Sequence, residues 1–185
     1  MEQLTDEDLA RLWQEGDVSA FDALFDRHHA DVYQLARWIL GRFDGAEDVL
    51  QETFLAVVQH IGQYAAAGPF RSWLLQSARN RALNRLAAER LRHPATQGGP
   101  AILPQRSNAD PMHAASDNEE ARLVRQAVDE LPDRQREMMA LFALQEMGYR
   151  QIAEITHTPL NTVKTLIRRA RLNLADRFQR PVARG

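Results

Sequence analysis

Apolar positions recur along this chain at the three- and four-residue spacing of helices, and the alternation of a half-buried strand is nearly absent. Thr5 followed by Asp8 predicts a capped helix start before "DLARLWQEG". A second run puts Phe21, Leu24, Phe25, Val32, Leu35, Ala36, Ile39 and Leu40 on one face, and the stretch from Gly41 to Gly45 breaks it. A third helix starts near Ala46, with Val49, Leu50, Phe54, Val57, Val58 and Ile61 predicted inward. "GQYAAAGPF", 62–70, reads as a loop set by Gly62, Gly68 and Pro69, and a fourth helix runs from about Ser72 to Leu91. Residues 93–118 hold four of the eight prolines and two adjacent glycines, which predicts an extended linker with little core to offer. Helical periodicity returns at Glu119 and runs to about Arg180, punctuated by Pro132 and Pro159. The pattern predicts an all-α chain with no internal repeat: a helical domain at 1–92, a flexible linker at 93–118 and a second helical domain at 119–185.

Composition narrows the classes. The chain has 185 residues, 44% of them hydrophobic, which suits packed domains rather than global disorder. Cysteine is absent, which excludes disulfides, thiolate metal sites and thiol catalysis and fits a reducing compartment. "MEQLTDEDLARLW" is acidic and has no apolar signal core, and no apolar run approaches the ~20 residues of a membrane helix. These features predict a cytoplasmic protein without membrane insertion.

The net charge of -2 hides a division. Residues 1–55 carry thirteen Asp and Glu against four Arg. Residues 71–92 carry six Arg against Glu89, and residues 161–180 carry six Lys and Arg against Asp176. All the cations but Lys164 are arginine, the side chain that forks onto phosphates and base edges. A GC-rich genome also favours arginine, so the bias by itself decides nothing.

The second basic stretch has a context. In "GYRQIAEITHTPL", Tyr149, Ile152, Ala153 and Ile155 suit a short helix with one buried face, and Ala153 is small where another helix would cross. Pro159 and Asn161 suit the start of a new helix, with Asn161 as a candidate N-cap. Val163, Ile167, Ala170 and Leu174 then form an inward stripe. Thr162, Lys164, Thr165, Arg168, Arg169 and Arg171 are left outward or sideways. A short helix, a tight turn and a basic second helix make a helix-turn-helix pattern, whose second helix reads the major groove.

In the front half, Glu47, Asp48, Gln51 and Glu52 fall opposite the inward stripe of the third helix and make a compact acidic and amide face. "GPFRSWLLQSARNRALNR" interleaves Phe70 and Trp73 with Arg71, Arg79, Arg81 and Arg85, and sets Gln76, Asn80 and Asn84 on one helical face. Aromatics beside arginines and amides suit single-stranded DNA. Trp73 and Phe70 also fit a core reading, and for Trp73 the core is favoured over base contact.

"LPDRQREMMALFALQEMGYRQIAEI" followed by "NTVKTLIRRARLNL" resembles the C-terminal domain of bacterial sigma factors of the extracytoplasmic-function (ECF) type. Leu131-Pro132, Ile152-Ala153, Thr162-Val163-Lys164 and Arg169-Ala170-Arg171 stand at that family's spacing. "GDVSAFDALFDRHHADVYQLARWIL", "AEDVLQETFLAV" and "FRSWLLQSARNRALNRL" resemble its N-terminal domain, in order. His157 and Asn161 stand where the family usually has glycine. Thr156, Thr158 and Leu166 also depart from it.

The resemblance implies sigma region 2 at 1–92 and sigma region 4 at 119–185. It implies an alternative transcription-initiation factor that docks on core RNA polymerase, through the β′ coiled coil and the β flap, and directs it to promoter DNA. Glu47, Asp48, Gln51 and Glu52 would meet the β′ coiled coil. Phe70, Arg71, Trp73, Arg79, Asn80, Asn84 and Arg85 would hold the single-stranded −10 element, and the loop 62–70 would accept one flipped base, whose extrusion costs a few kcal/mol. Asn161, Thr162, Lys164, Thr165, Arg168, Arg169 and Arg171 would bind the −35 duplex. Arg169 and Arg171 would hold phosphate and the others would face base edges. An anti-sigma factor holding the two domains together and hiding both DNA faces follows from the same resemblance.

No phosphate-binding glycine motif, HExxH pair or framed nucleophile is present, and the six histidines are scattered. The expectation is a non-catalytic subunit with no cofactor, metal or small-molecule substrate. The rival readings are a dimeric helix-turn-helix regulator of duplex operators and a plain interaction protein with acidic partners.

Overall fold

The computed structural model describes residues 4–65, 68–92 and 119–179, with side chains in the last stretch from 123 onward. The linker expected at 93–118 lies outside the described residues, as do 66–67 of the loop.

Helix α1, Asp6–Gln14, begins as predicted. The Thr5 hydroxyl accepts the Asp8 N–H at 3.1 Å, and the Asp8 carboxylate accepts the Thr5 N–H at 3.4 Å. Three acidic residues in its first turn suit the positive end of the helix dipole. Helix α2, Val18–Leu40, is capped by Asp17 and buries Leu24, Val32, Leu35, Ala36, Ile39 and Leu40. Helix α3 spans Ala46–His60, followed by a 3₁₀ turn at Ile61–Gln63. The preceding turn depends on Gly45, at φ +109°, where a Cβ would lie 2.2 Å from Arg85 Nε. Helix α4, Phe70–Arg92, starts earlier than expected because the Pro69 carbonyl takes the Ser72 and Trp73 N–H groups at 3.0 and 3.3 Å. In this N-terminal unit α2 is central, packed by α1, α3 and α4.

The C-terminal unit holds α5, Glu119–Asp129, α6, Asp133–Met139, α7, Tyr149–Thr156, and α8, Leu160–Gln179. Helix α6 leads into a π-helical turn at Ala140–Leu144. Helix α7 ends at His157, whose φ of +49° is left-handed, the conformation that usually favours glycine at such a turn. Asn161 is not the N-cap: α8 begins one residue earlier, and the Pro159 carbonyl accepts the Thr162 and Val163 N–H groups at 2.9 and 3.1 Å. No helix among the described residues is long and apolar enough to cross a membrane.

The two units pack on each other. Helices α2 and α4 meet α6, the π turn and α7, and one continuous cluster of buried apolar side chains runs through both.

One ion pair fixes α1 on α2. Asp6 Oδ2 lies 2.6 Å from Nε2 of the buried His28, and Asp6 Oδ1 accepts from Arg27 at 3.0 Å. The His28 hydrogen bond, with help from Arg27 and against the effect of burial, holds the Asp6 carboxyl below its ordinary range. A lowered carboxyl stabilises the fold above its unfolded pKa, and that contribution is lost as pH falls through the folded value. Asp6→Asn is therefore expected to cost about 1.5–3 kcal/mol at pH 7. The gap to the unaltered protein should close as pH drops through the carboxylate range below ~4. Urea unfolding at pH 7 and at pH 3 checks this, and an equal gap at both would contradict it.

Candidate nucleic-acid and polymerase interface

Helix α8 is held from beneath. Val163, Ile167 and Ala170 are fully or almost fully buried against the C-terminal unit, and Leu174 packs at the edge of the same core. The opposite face carries Asn161, Thr162, Lys164, Thr165, Arg168 and Arg169, all exposed. The Thr165 hydroxyl donates to the Asn161 carbonyl at 2.8 Å, so its lone pairs face outward as acceptors. Arg171 is exposed too, with its guanidinium 4.7 Å from the Phe142 ring. That cation–π contact ties the middle of α8 to the π turn.

Helix α3 presents Glu47, Asp48, Gln51 and Glu52 together on its exposed side. Asp48 also pairs with Arg85 at 2.5 Å. Val58, expected inward, is 48% exposed and lies one turn along from Leu55, 54% exposed. Periodicity misplaced Val58 because it and Val57 are adjacent, and a helix turns adjacent side chains ~100° apart. The two apolar side chains extend the acidic face, and nothing in the apolar spacing marked them.

Helix α4 divides the residues expected at single-stranded DNA. Asn80 and Asn84 are exposed and Gln76 is half-buried. Phe70 is a correction: it is 0% exposed, enclosed by Tyr64, Trp73 and His28. Its apolar ring goes inward because α4 begins there, which makes it the root of the loop. Trp73 is half-buried and packs on Tyr64 and Phe70. The three arginines all have partners within the chain. Arg85 is paired with Asp48. Arg71 donates to Asp31 Oδ2 at 2.8 and 3.0 Å and to Gln145 Oε1 at 2.7 Å. Arg79 is buried, with Nε 2.5 Å from Oε1 of Glu137 in α6.

The loop after α3 is anchored at both ends. Gln14 donates to the Ile61 and Tyr64 carbonyls at 2.7 and 2.8 Å, and the Tyr64 hydroxyl donates to the Gly68 carbonyl at 2.7 Å. Burial, with the charges of Glu7 and Asp6, pushes the Tyr64 phenol above its ordinary pKa, so it stays a donor. A groove lined by Glu7, Asp8, Arg11, Gln14, Tyr64 and Ala65 opens beside it.

Three helices around a central α2, joined to a unit ending in a short helix, a tight turn and a basic helix, define the two-domain class of transcription-initiation subunits. Residues 24–92 match the model of Sigma-70 region 2, and residues 121–174 match that of Sigma-70, region 4. The chain is 30% identical over 188 residues to the ECF RNA polymerase sigma-E factor of Haemophilus influenzae, covering 96% of this chain and 97% of that one. It is 30% identical over 165 residues to the ECF RNA polymerase sigma factor SigW of Bacillus subtilis, covering 85% and 88%. Two solved structures share the fold. CnrH in complex with the cytosolic domain of CnrY has a TM-score of 0.66 at 24% identity, over 92% of this chain and 95% of that one. The sigma factor RpoE in complex with the anti-sigma factor NepR, from Bartonella quintana, has a TM-score of 0.68 at 20% identity, over 90% and 100%. The chain belongs to the ECF RNA polymerase sigma factors.

Proposed function

We propose that this chain is a non-catalytic promoter-specificity subunit of RNA polymerase, acting in the cytoplasm where core polymerase works. The observation that carries the reading is the exposed face of α8, where Thr162, Lys164, Thr165, Arg168 and Arg169 stand on a helix whose other side is buried. Its N-terminal end enters the major groove of the −35 duplex. Arg168 and Lys164 read base edges, and Arg169 and Arg171 hold phosphate. On α4, Asn80 and Asn84 face the −10 single strand, with Arg71, Arg79, Arg85 and Trp73 as supporting contacts. Phe70 supports the loop from within.

The acidic α3 face meets the β′ coiled coil, where charge sets orientation and encounter rate more than affinity. That accounts for an acidic front half on a DNA-associated protein, since this end grips protein rather than phosphate. The C-terminal unit meets the β flap. An anti-sigma factor restrains the chain. Support for that partner comes from the shared fold with a sigma factor solved with its anti-sigma factor bound.

Run-off transcription with core bacterial polymerase and a genomic promoter library tests the function. Promoter-selective transcripts that need both proteins are expected. Duplex binding by the chain alone, with no change in polymerase output, would favour the dimeric operator-binding regulator instead. Within α8, Arg168→Ala is expected to lose about 1–3 kcal/mol of discrimination at one base pair. Arg169→Ala is expected to weaken all promoters alike and lower the salt slope by about one. Salt-titrated binding to matched and mutated −35 duplexes separates the two.

A further inference from the structure

The π turn sets an aromatic ring beside the basic helix. It runs from Ala140 to Leu144, and the Gln145 and Met147 N–H groups donate to the Ala140 and Leu141 carbonyls at 3.2 and 3.1 Å. Such wide turns are rare and occur mostly at functional sites. Ala140 and Leu141 go fully into the core, while Phe142, the next residue, is only half-buried. Its ring meets a side chain from each helix of the helix-turn-helix. Tyr149, the first residue of α7, stacks on it with centroids 5.3 Å apart and planes 12° from parallel. The Arg171 guanidinium of α8 lies over it, 4.7 Å from its centre. Among the described residues no carboxylate pairs with Arg171, whereas Arg177, further along the same helix, is paired with Glu130. Arg171 is also, among the described residues, the cation of α8 that rests on a ring.

We infer that Phe142 is the positioning residue for Arg171: its ring holds the guanidinium in place for a backbone phosphate beside the −35 duplex. The inference rests on the phosphate role proposed above for Arg171. An arginine that stacks through its face keeps its N–H edge free, and that edge is what forks onto a phosphate. A free arginine side chain loses much rotamer freedom when it settles on a phosphate. Arg171 has lost part of that freedom on folding, because the ring already holds it, so less remains to be lost on binding. Tyr149 packs on the same ring, so the first helix of the motif also bears on where Arg171 points. Arg171 lies about a turn beyond Arg168 along α8, away from the end that enters the groove. The ring therefore steadies a contact that fixes register and leaves base reading untouched. A cation–π contact at an exposed site is worth roughly two- to fivefold in an equilibrium constant, which sets the size of the effect.

The test uses the full chain bound to core RNA polymerase, with a labelled duplex carrying a promoter found by run-off transcription. Phe142→Leu keeps an apolar side chain and removes the ring, and it should weaken binding about two- to fivefold. Matched and mutated −35 sequences should lose the same factor. Phe142→Tyr keeps the ring and should bind like the unaltered chain. With Arg171→Ala already present, Phe142→Leu should have no further effect, since the ring then has no cation to hold. An undiminished loss in that background would overturn the proposal, because a ring that only fastens α8 to the π turn acts with or without Arg171. Weak binding by Phe142→Tyr, a loss confined to one base pair, or full binding by Phe142→Leu would overturn it as well. Circular dichroism checks the fold, and if Phe142→Leu loses helicity, Phe142→Met, whose flexible side chain fills irregular gaps, takes its place. Arg171→Ala alone tests the underlying role and should lower the salt slope by about one. An unchanged slope would show that Arg171 holds no phosphate and would overturn the inference at its base. A lowered slope with no effect of Phe142→Leu would leave the phosphate role standing and remove the positioning role alone.

Discussion

Phe70→Ala is expected to lower the unfolding free energy by about 3–5 kcal/mol, although Phe70 stands in the stretch whose composition suits single-stranded DNA. The ring is 0% exposed. It meets Tyr64 edge-on at 5.6 Å and lies within 5.8 Å of Trp73 and 6.0 Å of His28, centroid to centroid. The Phe70 N–H donates to the Glu7 carboxylate at 3.1 Å, so the same residue ties the start of α4 to α1. Truncation opens a cavity below the loop and loosens the Tyr64 and Trp73 rings together. Far-UV circular dichroism in urea measures the loss. A side chain used only for stacking on a base would give the opposite result, unchanged stability and weaker binding of single strands. Single-strand binding by any folded Phe70→Ala should fall as well, because the loop loses its root. Stability is the reading that separates the two roles.

Apolar spacing located the helices because each buries one stripe. Thr5 and Asp8 marked the start of α1, and the Gly41 to Gly45 break marked the end of α2, through local chemistry alone. Local chemistry also explains the misses. Val58 sits beside an inward residue and turned outward, and Asn161 lost the capping position to the Pro159 carbonyl. Arg79 is different in kind. Its environment depends on Glu137, 58 residues away, and nothing in the α4 pattern reports that partner. A polar stripe on a helix says only that the stripe avoids its own core. Whether it faces water, nucleic acid or the second unit depends on tertiary placement. The residue roles came from the family resemblance, and the contacts between the units lay outside its reach. Glu137, Gln145 and Asp31 read as ordinary polar positions until the two units are seen together.

Arg136→Ala is expected to destabilise the C-terminal unit by about 3 kcal/mol. The guanidinium is buried, and desolvation lowers its pKa against the pull of Asp133 and Asp129, yet an arginine keeps its charge. It donates to the Asp129 and Leu131 carbonyls at 3.1 and 3.4 Å, closing the turn between α5 and α6, to Asp133 at 2.9 Å and to the Ile39 carbonyl at 3.1 Å. Asp133 keeps Arg90 as a partner, so the main loss is hydrogen bonds to buried carbonyls rather than a stranded charge. Gly41 is shaped to the same group. At φ +61° its absent Cβ would lie 2.8 Å from Arg136 Cζ, so a side chain there would push the guanidinium off Ile39. Three of these four Arg136 bonds, to Asp129, Leu131 and Asp133, lie within the C-terminal unit, so the loss falls mainly on that unit. All three tryptophans, Trp13, Trp38 and Trp73, belong to the N-terminal unit, so their fluorescence follows that unit while circular dichroism follows both. In Arg136→Ala an early helical transition should precede the tryptophan transition. Coincident transitions at the midpoint of the unaltered chain would show that these carbonyls find other donors at no cost.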